Sequence, residues 1–305
     1  GIKMTYSSGN TILATDYNTF RGTVNTVVGS SASYQSTSGY GQSELASVSA
    51  SGTVTAASWA SLIAAVKLAA THQGTSIDLP ASALAAGNTI EALDGTTAGS
   101  TSYDLSAAVT AINSNKNNVD TGEQTTVGAT LTDTRSAVWS DTINAEWYVQ
   151  YASQVAADAF FNTGGEIHLS FTHPNGSSDQ DNNWRSIFTT KVGTIKMGLS
   201  TLTRSGSGGT ISGISYTGLN SSYQAIFTGT NIGDGQYAGN DMIINAKLDT
   251  SNHRVYFNMT LTDSHTPVAP STVDEVSAGS TINTGFRKSS TYTIATPSVT
   301  STEGL

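Results

Sequence analysis

Carboxylate and amide oxygens follow one another in Asp179-Gln180-Asp181-Asn182-Asn183, the kind of spacing with which a loop wraps a calcium ion. The run then departs from an EF-hand. Trp184 stands where the sharp turn needs Gly, and Thr190 where a bidentate Glu closes the coordination shell. A solvated hairpin turn is therefore the preferred expectation for this segment. Asp234, Asn240 and Asp241 flank a second, Gly-rich loop and fare no better. His168 and His173 lie five apart around a strand, which sends their side chains to opposite faces. With no Cys in the chain and no HExxH, a zinc site is not expected. His265, Asp263 and one of the 42 serines can be drawn as a hydrolase triad, yet no GxSxG elbow supports the drawing. Glycosidase chemistry needs two carboxylates about 5 to 10 Å apart in a cleft, whereas the acids here fall mainly in turns. No catalytic residue, cofactor or metal is expected.

Among the four tryptophans, Trp59 and Trp147 fall on helical stripes and read as core. Trp184, beside the polar loop 177–183, remains as a candidate ligand contact. Tyr237, in the Gly-rich loop 229–239, joins it, with a glycan as the ligand class. Three Asn-x-Ser/Thr sequons, at Asn175, Asn220 and Asn258, are what chance provides in a chain this rich in Asn, Ser and Thr.

The elements that must carry these residues are built from an unusual palette. Thr and Ser supply 88 of 305 residues (46 and 42), while charged residues reach only 11%. An ordinary soluble domain carries about 25%. The net charge of −9 comes with 13 Lys and Arg, too few for phosphate neutralisation or attraction to an anionic membrane. Nucleic acid and membrane are thus not expected partners. Gly1 to Thr5 lacks the apolar region of a signal peptide, and no apolar run approaches the roughly 18 residues of a membrane span. Synthesis in a cytoplasm without secretion is the expectation. A neutral Thr/Asn/Gly surface suits durable contact with other chains, because it is buried without desolvating ions.

Along the chain, residues 11–29 and 53–74 form a possible internal repeat at an offset of 42. Thr11 to Tyr17 lines up with Thr53 to Trp59, Phe20 with Leu62, and Val24 with Val66. Each copy reads as a short extended piece and a helix, capped by Asp16 or Ser58 and closed by Gly29 or Gly74. A third helix is expected over 104–119 and an exposed strand or loop over 120–133. Ile143, Trp147, Tyr151, Val155 and Ala159 recur at steps of four, which predicts one long helix from Asp141 to Phe161, ended by Asn162-Thr163-Gly164-Gly165. After Gly165 the period becomes two. Strands are expected at 167–171, 187–190, 193–202, 210–216, 223–228, 242–248 and 254–261, separated by Gly/Ser/Asn clusters. The fold class is thus α+β: a helix-containing region over 1–140, a connecting helix over 141–164, an antiparallel β-sandwich or barrel-like domain over 165–288, and an extended arm over 289–305.

Several stretches together resemble structural proteins of tailed bacteriophages, of the marine T4-like cyanophage type. They are Ile12-Leu13-Ala14-Thr15-Asp16-Tyr17-Asn18-Thr19-Phe20, Tyr40-Gly41-Gln42, Trp59 through His72-Gln73-Gly74, and Phe160-Phe161-Asn162-Thr163-Gly164-Gly165-Glu166-Ile167. The resemblance spans most of residues 10–170. It implies a virion component of the tail, neck or fibre apparatus or of the capsid exterior. Other virion proteins would be its partners, and it would form a homo-oligomer of three-, five- or six-fold symmetry. It transfers no catalytic residue. The alternative expectation is a host-surface adhesin or carbohydrate-binding module that reads a surface glycan through Trp184 or Tyr237.

Overall fold

The computed structural model describes residues 13–79, 105–175, 178–265 and 275–305. The chain divides into two compact units. One comprises Gly1–Gln124, Asp158–Gly164 and Ser289–Ile294; the other comprises Thr125–Ala157, Gly165–Lys288 and Ala295–Leu305. The first is helical and the second is a β unit, so the fold class is α+β. Among the described residues no helix is long and apolar enough to cross a membrane.

The helical unit contains α1 (Ala14–Val28), α2 (Ala56–Gln73), α3 (Leu105–Ser114) and the second half of α4 (Gln154–Asn162). Helices α1 and α2 begin 42 residues apart, at Ala14 and Ala56. The aligned pairs Tyr17/Trp59, Phe20/Leu62 and Val24/Val66 are all buried, and the Tyr17 ring meets the Trp59 indole edge-on at 5.4 Å. The caps differ from expectation. Thr55 caps α2 by accepting the Ser58 N–H at 3.1 Å, and Leu13 precedes α1 without a side-chain cap. Asp16 and Ser58 sit inside the first turns, where Asp16 still opposes the helix dipole favourably. Gly74, at φ 65°, closes α2 in the left-handed conformation. The predicted helix over 104–119 is shorter, ending at Ser114; Asp104 lies outside the described residues.

Amide side chains do much of the tying in this unit. Asn25 donates to the Leu45 carbonyl at 3.1 Å and accepts the Leu45 N–H at 2.9 Å. Asn18, two turns earlier on the same face of α1, does the same to Val48 at 2.7 and 3.0 Å. An uncoiled segment is thereby held along α1 as a neighbouring strand would hold it, which satisfies its backbone groups without a sheet.

At the end of α2, His72 is fully buried between the rings of Tyr40, 5.4 Å away, and Tyr292, 5.1 Å away. Its Nδ1 lies 3.4 Å from the Ser289 hydroxyl, and its Nε2 has no partner. Burial pushes its pKa down to about 4, and the Glu123 carboxylate offsets this only in part. The unfolded chain therefore takes up a proton near pH 6.5 that the folded chain refuses. Stability should be complete above pH 6.5 and decline as the pH falls toward 4, by up to roughly 3 kcal/mol. Urea unfolding at pH 7 and pH 4.5 checks this: His72→Phe should lose less stability between the two than the wild type does.

The β unit holds two antiparallel sheets that pack as a sandwich. Its strands are β1 (Gln124–Thr134), β2 (Thr142–Gln150), β3 (Glu166–Thr172), β4 (Ile195–Met197), β5 (Leu202–Arg204), β6 (Thr210–Ile211), β7 (Gln224–Gly229), β8 (Asp241–Asp249), β9 (Arg254–Thr262), β10 (Thr281–Ser289) and β11 (Ser298–Glu303). The orders are β1-β10-β3-β4-β5 and β11-β2-β9-β8-β7-β6. Strands β2, β8 and β9 alternate strictly between buried and partly exposed residues over most of their length. Trp147, Phe257 and Ala246 share one register row on the buried face, and Tyr148, Tyr256 and Lys247 share the next row on the outer face.

The long helix predicted for 141–164 is not formed. Residues 142–150 are strand β2, and only 154–162 are helical. A step of four fits both periods, being two strand repeats as well as about one helical turn. Ala145 and Val149, buried between Ile143 and Trp147 and beyond it, complete a period of two. Pairing with β9 along all nine residues then decides the matter. The arm expected over 289–305 is also corrected. Residues 289–294 belong to the helical unit, and β11 pairs with β2. Nor is 187–190 a strand: Ile187–Val192 is a π-helical turn that continues α5 (Asp179–Ser186).

Candidate functional site

Residue 177 lies outside the described residues; from Asp179 on, the loop expected over 177–183 is helical, as part of α5. Ser178 accepts the Asp181 N–H at 3.1 Å and caps it, and Asp179 and Asp181 complement the dipole in its first turn. Helical geometry scatters the oxygens that an extended loop would have gathered. Asp179, Asn182, Asn183 and Ser186, at i, i+3, i+4 and i+7, fall on one face. Gln180 and Asp181 point elsewhere and are buried.

That one face forms a wall of a cleft of about 570 Å³, whose other wall is Asp234, Gly235, Gln236 and Tyr237. The second wall is clamped. Lys191, from the π-helical turn after α5, places its Nζ 2.6 Å from Asp234 Oδ1, and donates to the carbonyls of Ile232 and Gly233 at 2.5 and 3.1 Å. Gly233 is needed there, because a Cβ would run into the Tyr237 carbonyl oxygen. Asn183 bridges the walls through a long 3.5 Å contact from Nδ2 to the Asp234 carbonyl, and its Oδ1 has no partner.

Of the two predicted contact residues, Tyr237 lines the cleft, 9% exposed, with the His265 ring 4.6 Å away. Trp184 does not. It is fully buried, 4.9 Å from Trp139 and 5.7 Å from Phe188. The helix turns residue 184 inward while its neighbours 182 and 183 line the cleft, so Trp184 is core and not a ligand platform.

The acidic loops do not assemble a cation site. Asp241 Oδ1 accepts the Asn231 N–H at 2.6 Å, and Asn240 Oδ1 accepts the Ser264 N–H at 3.0 Å. Among the described residues no group of three or more His, Cys, Asp or Glu converges as metal ligands would. The Asp263–His265 pairing imagined for a triad is absent in that form. The Asp263 carboxylate takes a hydrogen bond from the Gln180 amide and one from the His265 backbone N–H, not from its ring.

A different Ser–His–Asp line exists. His173 Nδ1 is 3.0 Å from Ser280 Oγ, and its Nε2 is 3.1 Å from Asp181 Oδ1. Its connectivity is the reverse of a hydrolase triad, which sets the acid on Nδ1 and the nucleophile on Nε2. All three residues are buried. Burial alone would raise the Asp181 carboxyl, but hydrogen bonds from the Ser277 backbone, from the Ser178 and Ser277 hydroxyls and from His173 outweigh it and hold the pKa below the usual carboxylate value. The cluster ties α5 to the segment before β10 and is a structural lock. Sequence reasoning missed it because His173 and Asp181 are eight apart and Ser280 a further 99 on, with no spacing to mark them.

Compared with protein families, curated proteins and solved structures, the chain matches none.

Proposed function

We propose that this chain is a non-enzymatic structural subunit of a tailed-phage virion and assembles as a symmetric homo-oligomer. The observation that carries the assembly reading is strand β1. Among the described residues it forms one edge of the five-stranded sheet and pairs only with β10. Eleven residues long, it is mostly exposed along its length. Natural edge strands are blunted by Lys, Pro, bulges or shortness. Strand β1 carries no Lys or Pro and is not short: Gln124-Thr-Thr-Val-Gly-Ala-Thr-Leu-Thr-Asp-Thr134 has one charge. Strand β11, an edge of the other sheet, is only six residues long and shifts register between Ser301 and Glu303. The contrast favours β1 as a strand kept open for a second copy, which would extend the sheet through main-chain hydrogen bonds.

The phage assignment rests on the resemblance of residues 10–170, and the neutral surface agrees with it. Light scattering on the purified protein should give a closed multiple of 31.5 kDa. Gly128, where an added Cβ meets nothing within 4 Å, and the exposed Ala129 accept lysines without a clash. The Gly128→Lys/Ala129→Lys variant should fall to a monomer with an unchanged circular dichroism spectrum. A monomeric wild type at micromolar concentration ends the assembly reading. Absence of the chain from purified particles, by mass spectrometry, ends the virion reading.

A further inference from the structure

If a second copy extends the sheet at β1, the strand it brings must match β1 in length. Among the described residues the two sheets end in β1, β5, β11 and β6. Strand β5 offers three residues, β6 two and β11 six, against the eleven of β1. Only a second β1 can satisfy the whole free edge. No loop does so within the chain: among the described residues, the backbone hydrogen bonds made outside regular elements include none to 125–134.

Two-fold symmetry then fixes the geometry. In an antiparallel pair the residues that point their N–H and C=O across the gap face one another, and they alternate along each strand. Facing residues of a strand paired with its own copy are therefore both odd or both even in number. The dyad must pass through one residue, which faces itself. A parallel self-pairing about a dyad along the strands would set N–H against N–H and make no bonds. With all eleven residues paired, the self-facing residue is Ala129, the exposed midpoint of Gln124–Thr134. Val127 and Leu131, the two largest aliphatic side chains of the strand and both half-buried, then face each other. Asp133, the one charge, faces Thr125 and not a second carboxylate. The register covers apolar surface and opposes no like charges. We propose that, given the assembly reading on which this rests, β1 pairs antiparallel with β1 of a second copy about a two-fold axis through Ala129. Such a pair closes on itself. A three-, five- or six-fold ring would need a second, different contact.

The chain has no cysteine, so one introduced cysteine carries one nitroxide label. Thr126→Cys, Ala129→Cys, Thr132→Cys and Thr134→Cys in the full chain all replace exposed residues. Double electron–electron resonance on variants of native mass reads the distance between the labels of the two copies. At a strand rise of about 3.4 Å per residue, that distance should be least at Ala129 and grow by about 7 Å for each residue on either side. It should reach about 20 Å at both Thr126 and Thr132 and about 34 Å at Thr134. A second measurement needs no label. Val127→Cys co-expressed with Leu131→Cys should give a covalent dimer on oxidation. Either variant alone should not, because its thiols lie about 14 Å apart across the dyad. Equal distances along the strand, a steady rise from one end to the other, a minimum at another residue, or no covalent dimer from the co-expressed pair would each overturn the self-pairing. An oligomer of unchanged mass would in each case leave the assembly reading standing, whereas a monomeric wild type ends both.

Discussion

Trp184→Ala should lower the unfolding free energy of the β unit by about 3 to 5 kcal/mol, the usual cost of deleting a buried indole. The side chain has no exposed surface and packs against Trp139 and Phe188. Removing it opens a cavity among rings that cannot collapse to fill it. The indole N–H has no partner, so Trp184→Phe removes an unmatched donor along with part of the volume and should cost much less than Ala. Denaturant unfolding followed by circular dichroism measures both. A stability unchanged in Trp184→Ala would mean the indole is at the surface, as the sequence alone suggests.

Asp181→Ala should cost a similar amount, about 3 to 5 kcal/mol, since it strands several buried donors at roughly 1 to 3 kcal/mol each. The carboxylate accepts from the Ser277 backbone N–H and hydroxyl, both at 2.9 Å, and faces His173 Nε2 at 3.1 Å. Without it, those donors lose their acceptor in a site water does not reach. His173→Leu alone should also be destabilising. The double variant Asp181→Ala/His173→Leu should cost less than the sum of the two single variants, because the second change removes a group already stranded. Strict additivity would show that the two side chains do not interact.

How much of this could be read from the sequence depended on whether one period was unambiguous. Strands β3, β8 and β9 are plain, because apolar residues alternate in them with polar ones over most of their length. The starts of α1 and α2 were legible to within a turn. Strand β2 was read as a helix because its largest side chains fall four apart. Strand β10 was invisible: Thr284 occupies one of its buried positions, Gly285 sits mid-strand, and Arg287 and Lys288 end it. Strand β11 has only Val299 to mark a strand, so its place was set by pairing with β2 and not by any pattern of its own. The cleft was half-legible. Asp179, Asn182, Asn183 and Ser186 carry helical spacing, and Ser178 is a good N-cap, but the Asn/Asp-rich text reads first as a turn. That Asp234 and Tyr237 would face them is a tertiary fact, with no local signal.

The discontinuous make-up of the helical unit bears on how the chain folds. Its aromatic core around His72 is completed by Tyr292 and Ser289, the latter 217 residues further along. Closing so long a loop adds little to the entropic cost at equilibrium, because that cost grows only with the logarithm of length. It does slow folding, since contacts this distant in sequence form late. A fragment ending at Gly164 holds α1 to α4 and Tyr40 but lacks the Tyr292 ring that completes the seat of His72. In a nascent chain the helices would therefore wait, their aromatic faces incomplete, until nearly the whole β unit had been synthesised.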